Sequence, residues 1–208
     1  MARKTKEEAA TTRANILMAA LDLFSEKGFS RTTFSDIAKR IGMTRGAVYW
    51  HFNNKPALLA AMTDHFCTLR EERVQTHFSE IRSLEDFRQA FIEHARVVAE
   101  DPQLRKFEFF MMFQMEWSEE LLTETHNILH QVRTDPFEKL AAVLSAPHIA
   151  GQFREGIDAR QLAVTLAGQW IGLLQIYLGA CPKIDLISAV SSSFDCIMNG
   201  ALKTRSTQ

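Results

Sequence analysis

Apolar positions along the chain recur three and four residues apart and almost nowhere alternate, a period that predicts helices throughout. Ile16, Ala19, Ala20, Leu23 and Phe24 share one helical face, and Gly28 follows as a natural C-terminal stop. Thr33-x-x-Asp36 has the form of a capping box and opens a short second helix through Ile37, Ala38 and Ile41. Gly42 ends that helix, and Thr44 caps a third one after a turn of Gly42, Met43 and Thr44. Asn54 then caps a long helix that carries Pro56 in its first turn and runs outward through Leu58, Met62, Phe66 and Leu69. Further helices are predicted around 84–99, 104–115, 119–145, 159–179 and 184–202. Asp101-Pro102, Ala146-Pro147, Gly151, Gly156 and Cys181-Pro182 punctuate them. Neither strand-like alternation between hairpin turns nor an internal repeat competes with this pattern. The expected fold class is all-α.

Two short helices joined by a turn of three or four residues containing Gly form a helix-turn-helix. At 100° per residue, Arg45, Gly46, Tyr49 and Trp50 fall on one face of the third helix, and Ala47, Val48 and Phe52 on the other. The second set can pack on Ile37, Ala38 and Ile41, which leaves the first facing outward. Arg45 has the geometry to donate two hydrogen bonds to guanine O6 and N7 in a major groove. Gly46 lets the helix backbone approach base edges. Tyr49 and Trp50 offer apolar edges for thymine methyls and polar tips for phosphates. His51 and Lys55 flank the groove as clamps on the backbone, while Thr33 and Thr44 stand at helix N-termini whose amides suit phosphate oxygens. The stretch is read as a DNA recognition helix. The plainer reading of its aromatics is core packing.

Charge supports the first reading. Residues 1–55 hold ten Lys/Arg and five Asp/Glu, and residues 56–208 hold fourteen and twenty. A basic head on an acidic body suits a head that approaches a polyanion, although chance clustering of solvated charges gives the same numbers. With 208 residues, 46% apolar and 24% charged, the composition is that of a globular chain with room for one large domain or two small ones. No run of about 18 uncharged apolar residues is present, so no membrane span is expected. MARKTKEEAATTR lacks the apolar core of a signal peptide, so export is not expected. Cys67, Cys181 and Cys196 are far apart, form no Cys-x-x-Cys pair and are odd in number, which argues against a disulfide framework or a zinc knuckle and fits a reducing cytoplasm.

Residues 1–59 resemble the TetR family of one-component transcriptional regulators, in particular its branch of AcrR-like and TtgR-like multidrug-efflux repressors. TRGAVYWHFNNK, residues 44–55, is close to the family's most typical wording. The resemblance implies a three-helix DNA-binding head and a helical ligand-binding body, with a homodimer interface on the last two helices. By position, Thr33, Arg45, Gly46, Tyr49, Trp50, His51 and Lys55 match places the family uses on DNA. Pro56 departs from it, standing where an acidic residue is common. Beyond about residue 70 the likeness is architectural only. The expected organisation is a helix-turn-helix DNA-binding domain over residues 1–55 and a ligand-binding and dimerisation domain over 56–208.

The body is read from its own residues. KFEFFMMFQMEW, residues 106–117, crowds rings and methionines into a few turns. Such stripes serve as core, yet adaptable Met and flat rings also suit a pocket for several apolar molecules. The expected ligand lining is Phe91, Phe110, Phe113, Gln114, Trp117, His130, Gln169, Trp170 and Tyr177, chosen for ring area and for polar groups inside apolar helices. Glu108, Glu116, Glu119 and Glu120 form an acidic cluster read as a solvated face, with Glu116 beside Trp117 a candidate counter-charge for a cationic ligand. Gly168-x-x-x-Gly172 lets a second helix come close, with Leu166, Leu173 and Phe194 as apolar contacts of a homodimer.

Neither Gly-x-Ser-x-Gly, His-Glu-x-x-His nor a phosphate-cradling Gly-rich loop occurs, and the seven His read as scattered without ligand spacing. No catalytic residue, cofactor or metal is expected. The expected function is a ligand-responsive repressor of multidrug or toxic-compound efflux genes. It would bind double-stranded (pseudo)palindromic operator DNA and be released by an apolar or amphipathic small-molecule inducer. A regulator of a metabolic pathway or a transcriptional activator is the alternative. A helical small-molecule-binding protein or an enzyme is the alternative from another class.

Overall fold

The computed structural model describes residues 2–74, 80–179 and 183–203. Among these, the chain forms eleven α-helices and no β-strand. They are α1 (Ala2–Lys27), α2 (Phe34–Arg40), α3 (Arg45–His51), α4 (Lys55–Arg73), α5 (Leu84–Glu100) and α6 (Pro102–Phe109). After α6 comes a π-helical turn (Phe110–Gln114), then α7 (Glu119–Val132), α8 (Pro136–Ser145), α9 (Pro147–Ala150), α10 (Ala159–Leu178) and α11 (Leu186–Ala201). The Cys181-Pro182 stop lies outside the described residues.

Local chemistry sets most boundaries. Side-chain oxygens of Ser83, Ser118, Asp135, Asp158 and Asp185 accept backbone N–H bonds at the starts of α5, α7, α8, α10 and α11. Asp101 Oδ1 accepts from Gln103 N at 2.7 Å and Leu104 N at 3.1 Å, so Asp101-Pro102 opens α6 as well as closing α5. The single helix expected over 119–145 is two helices. Pro136 disfavours helical geometry at the residue before it, and Arg133 and Asp135 are both outside the α region (ψ 138° and 127°).

The described chain divides into two compact units, residues 1–69 with 106–133, and residues 70–105 with 134–208. In the first unit Ile16, Leu17, Ala20, Leu21 and Phe24 of α1 form the buried stripe, joined by Ile37, Val48, Leu58, Met62 and Phe66. Phe66 stacks on Phe107 at 4.5 Å, and Phe24 on Phe110 at 5.5 Å.

In the second unit Phe87, Phe91 and Phe194 form a ring cluster with centroids 5.2–5.5 Å apart. Beside it Arg88 makes two bonds to Asp195, at 2.7 and 2.9 Å, and one to Ser191 at 2.6 Å. Arg154 N bonds Ala201 O and Lys203 N bonds Gln152 O, at 2.9 and 3.1 Å, which seats residues 201–203 on the turn after α9.

Leu166 and Phe194, expected as contacts for a second subunit, instead face inward, 0% and 3% exposed. The outward apolar residues of α10 are Val164, Ile171 and Ile176. α10 is long and apolar enough to cross a membrane by length and composition, and few of its residues are buried. After Arg160 the helix is uncharged, and Gln161, Thr165, Gln169 and Gln175 break its apolar run.

Candidate nucleic-acid interface

The outward face of α3 is held from behind by α1 and α2. Thr33 Oγ1 accepts from Asp36 N at 3.2 Å, and Asp36 Oδ2 accepts from Thr33 N at 2.8 Å, so the capping box is complete. Lys27 Nζ lies 2.9 Å from Asp36, and with the Thr33 bonds it holds that carboxyl far below the usual range. Arg40 grips Glu26 with two bonds, at 3.1 and 2.5 Å, a second tie between α1 and α2. The turn between α2 and α3 needs Gly42, whose φ of +68° is open to few other residues. Met43 N reaches back to Ala38 O at 2.9 Å to close the end of α2.

Thr44 Oγ1 accepts from Ala47 N at 3.2 Å and starts α3. Val48 and Phe52 point inward, 0% and 3% exposed, while Arg45, Gly46, Tyr49 and Trp50 point out. Trp50 is 75% exposed, which solvation alone would not favour for so large a ring. Arg45 Nη2 donates to Tyr49 Oη at 3.1 Å, its guanidinium lies 5.0 Å from the Tyr49 ring, and that ring leans on Phe34 at 4.9 Å. Arg45 and Tyr49 therefore stand as one assembled pair on a buried support. His51 sits edge-on to Trp50 at 4.6 Å. Burial, helped by nearby Arg13, lowers its pKa, so the imidazole is neutral at pH 7.

A hollow of about 350 Å³ opens beside this face, lined by Thr32, Thr33, Phe34, Ser35, Arg45, Tyr49, Asn54 and Lys55. Lys55 Nζ donates to Phe29 O at 2.7 Å and Ser30 O at 2.9 Å, and lies 5.0 Å from the Phe29 ring. Two of its three donors thus tie α4 to the turn after α1, and one remains to turn toward the hollow. Burial draws its pKa down, with Asp36 opposing. Two members of this region make bonds that the sequence did not signal. Thr32 is buried and donates to Gly28 O at 2.9 Å, and Asn54 is held by Glu124, seventy residues away.

Gly46 is informative because nothing in the chain requires it. A Cβ there would meet only Thr44 Oγ1, at 3.9 Å, an ordinary contact, and its φ is not in the left-handed region. A helix built for stability alone would carry Ala at this position. The missing side chain is space kept on the outer surface.

The nine expected ligand-lining residues fall in both units. In the first, Phe110 is fully buried and stacks on Phe24. Phe113 and Trp117 are exposed, 42% and 39%, and His130 is exposed as well. Gln114 has a buried Oε1 without a hydrogen-bond partner. In the second unit Phe91 is core within the Phe87–Phe194 cluster. Gln169 donates to Ser193 Oγ at 2.6 Å and also leaves a buried Oε1 unpartnered. Trp170 and Tyr177 are half-buried. Glu116, the candidate counter-charge beside Trp117, is exposed and accepts from Ser30 Oγ at 2.9 Å through its Oε2. His126 and His130 are not scattered: they do have ligand spacing, one helical turn apart on α7 with ring centroids 4.1 Å apart.

Known proteins place this arrangement. Residues 16–62 match the family described as bacterial regulatory proteins, tetR family, and residues 82–199 match the MAATS-type transcriptional repressor, C-terminal region. The chain is 30% identical over 197 residues to the HTH-type transcriptional regulator TtgR of Pseudomonas putida, covering 94% of this chain and 93% of that protein. Among solved structures it is similar to NalD, the secondary repressor of the MexAB-OprM multidrug efflux pump in Pseudomonas aeruginosa, with a TM-score of 0.75 at 26% identity over 95% of this chain and 98% of that one. It is also similar to SmeT, the repressor of the Stenotrophomonas maltophilia efflux pump SmeDEF, in a complex with triclosan, with a TM-score of 0.77 at 29% identity over 95% of each chain. With a capped helix-turn-helix, an outward Arg-Gly-x-x-Tyr-Trp face and these matches over both parts, the chain belongs to the TetR family of DNA-binding transcriptional regulators and is not an enzyme.

Proposed function

We propose that the protein is a cytoplasmic, ligand-responsive repressor of genes for efflux of toxic compounds, acting as a homodimer on a (pseudo)palindromic operator. The observation that carries the DNA half is the outward face of α3, where an assembled Arg45–Tyr49 pair and an open Gly46 stand beside a hollow lined by Thr33 and Lys55. Arg45 reads a base edge, Tyr49 and Trp50 contact sugar and methyl groups, and Thr33, Thr44, His51 and Lys55 fix the backbone. The functional division is residues 1–55 for DNA and 56–208 for ligand and dimerisation.

One short helix contacts too little DNA for tight specific binding, so a second copy is the expected remedy. The surface for it is the outer side of α10. Val164, Ile171 and Ile176 are 42–54% exposed there, and a Cβ at Gly168 or Gly172 would meet nothing within 4 Å. Exposed apolar residues interleaved with glycines suit close approach by an identical helix.

Release follows from geometry on DNA. α4 is one continuous helix from Lys55 to Arg73, and the division between the compact units falls within it at Leu69. A ligand that changes packing around α4 shifts the two heads, which must sit about 34–36 Å apart or at multiples of a DNA turn. Within the first unit, the unpartnered amide oxygen of Gln114 and the exposed rings of Phe113 and Trp117 support an apolar ligand carrying a hydrogen-bond donor. The efflux repressors NalD and SmeT support the gene class, and the triclosan complex of SmeT names a first probe.

The test is a titration of triclosan, followed by Trp fluorescence, with and without an operator duplex selected by the protein from a random pool. Inducer and operator must weaken each other by the same factor. Equal triclosan affinity in both titrations removes the release mechanism.

A further inference from the structure

We propose that Glu116 and Glu124 are positioning residues for the DNA face, a pair of hooks through which residues 106–133 hold the polar groups on either side of Lys55. This rests on the ligand-release reading above and names the device that would carry release within the first compact unit.

The contacts form an ordered ladder. Lys106 pairs with Asp22, and Phe110 stacks on Phe24 at 5.5 Å with the rings 20° apart. Gln114 Nε2 faces Ser25 O at 3.5 Å. Glu116 Oε2 then accepts from Ser30 Oγ at 2.9 Å, and Glu124 Oε1 accepts from Asn54 Nδ2 at 3.0 Å. The two segments advance in the same sense, and the last two rungs end beside the hollow. Ser30 contributes the carbonyl that holds Lys55 Nζ at 2.9 Å, and Asn54 caps α4 by accepting from Ala57 N at 2.8 Å. A displacement of either carboxylate thus acts on groups that position Lys55 and the start of α4.

The ladder runs through one irregular helical turn. Residues 110–114 form a π turn, closed by Met115 N on Phe110 O at 2.9 Å. Such turns are rare overall and frequent at functional sites. Returning this one to α geometry shifts the downstream residues by one position, about 100° around the axis, enough to carry Glu116 off Ser30. The turn is also under-satisfied, since Gln114 Oε1 and Ser25 Oγ are buried with no hydrogen-bond partner. Unmet buried polar atoms raise the energy of this register, and a ligand that satisfied or displaced them would bias it.

The experiment compares the full-length wild type with E116A/E124A and E116Q/E124Q. The amide oxygen of Gln still accepts from Ser30 and Asn54 but carries no charge; Ala removes both. With triclosan as probe, wild-type operator Kd is expected to rise by a factor in the range of about 5–150. In the Ala pair that factor is expected to fall to about twofold or less, while triclosan still raises the melting temperature as in wild type. The Gln pair is expected to stay within about twofold of the wild-type factor. An Ala pair that keeps the full factor overturns the proposal. So does a Gln pair that loses as much as the Ala pair, because charge and not hooking would then be responsible.

A measurement without ligand or DNA keeps the hooks testable if triclosan does not release the wild type, an outcome that removes the release reading for this probe. Amide hydrogen exchange over residues 29–34 and 54–58 should quicken at least about threefold in the Ala pair and not in the Gln pair. Unchanged exchange in the Ala pair overturns the hooks independently of any ligand.

Discussion

Gly46→Ala separates the needs of the fold from the needs of the DNA interface, because it should move them in opposite directions. Position 46 is the second residue of α3, and a methyl there meets only Thr44 Oγ1 at 3.9 Å, so the free protein accommodates it without displacement. Ala is preferred over Gly in a helix by ~0.8–1 kcal/mol in the interior, and somewhat less so near an end. A gain of ~0.5–1 kcal/mol corresponds to a rise of roughly 1–4 °C in melting temperature for a chain of this size. On DNA the same methyl enters the plane of closest approach, and overfilling a packed contact costs ~1–3 kcal/mol. Operator affinity should therefore fall about 5- to 150-fold while stability increases. Differential scanning calorimetry and fluorescence-anisotropy titration on one preparation read both quantities. A variant that bound operator as tightly as wild type would show that α3 does not present this face to DNA. A variant that melted earlier would show that Gly46 is required by the fold.

Arg45→Ala should cost roughly 1–3 kcal/mol of operator binding and relax preference at one base pair per half-site, read by selection from a randomised duplex pool. Lys55→Ala should weaken all duplexes alike and flatten the salt dependence; because its ammonium also bonds Phe29 O and Ser30 O, its melting temperature should fall too, and a purely local DNA effect would contradict that geometry. A Cβ at Gly172 meets nothing within 4 Å of its own chain, so Gly172→Arg should give a folded monomer in sedimentation with operator binding reduced well over tenfold; an intact dimer would move the interface off α10. His94 has a pKa lowered to about 4 by burial, with Arg70 adding to the effect. Its ordinary value is ~6.5, so between those values the unfolded chain takes up a proton that the fold refuses. Stability should fall by roughly 2–4 kcal/mol as pH drops across that window and level off below it. Chemical denaturation of wild type and His94→Gln checks this, and an equal slope in both would assign it elsewhere.

The helix-turn-helix was legible in the sequence because short-range chemistry builds it. Thr33 and Asp36 are three residues apart, Thr44 and Ala47 likewise, and Gly42 supplies a backbone angle that its neighbours cannot. The outward and inward sides of α3 follow from helical period alone, since only one side can meet α2. The break at Asp135-Pro136 carries the same Asp-Pro signal as Asp101-Pro102, but the apolar period continues on both sides of it and outweighs that signal in the sequence. On α10 period could not choose a face: apolar residues lie nearly all round the helix, and only packing shows that Leu166 turns in while Val164, Ile171 and Ile176 turn out.

Phe91 and Phe110 have the residue type of a pocket wall, and only the tertiary structure shows the rings they pack against. Least legible were the bonds of Ser30 to Glu116 and Asn54 to Glu124, across 86 and 70 residues. Caps and periods depend on neighbours the chain brings together within a turn or two, so sequence alone determines them. A hydrogen bond between distant exposed side chains leaves no trace in composition or spacing, and exists only because the tertiary fold sets the two segments side by side.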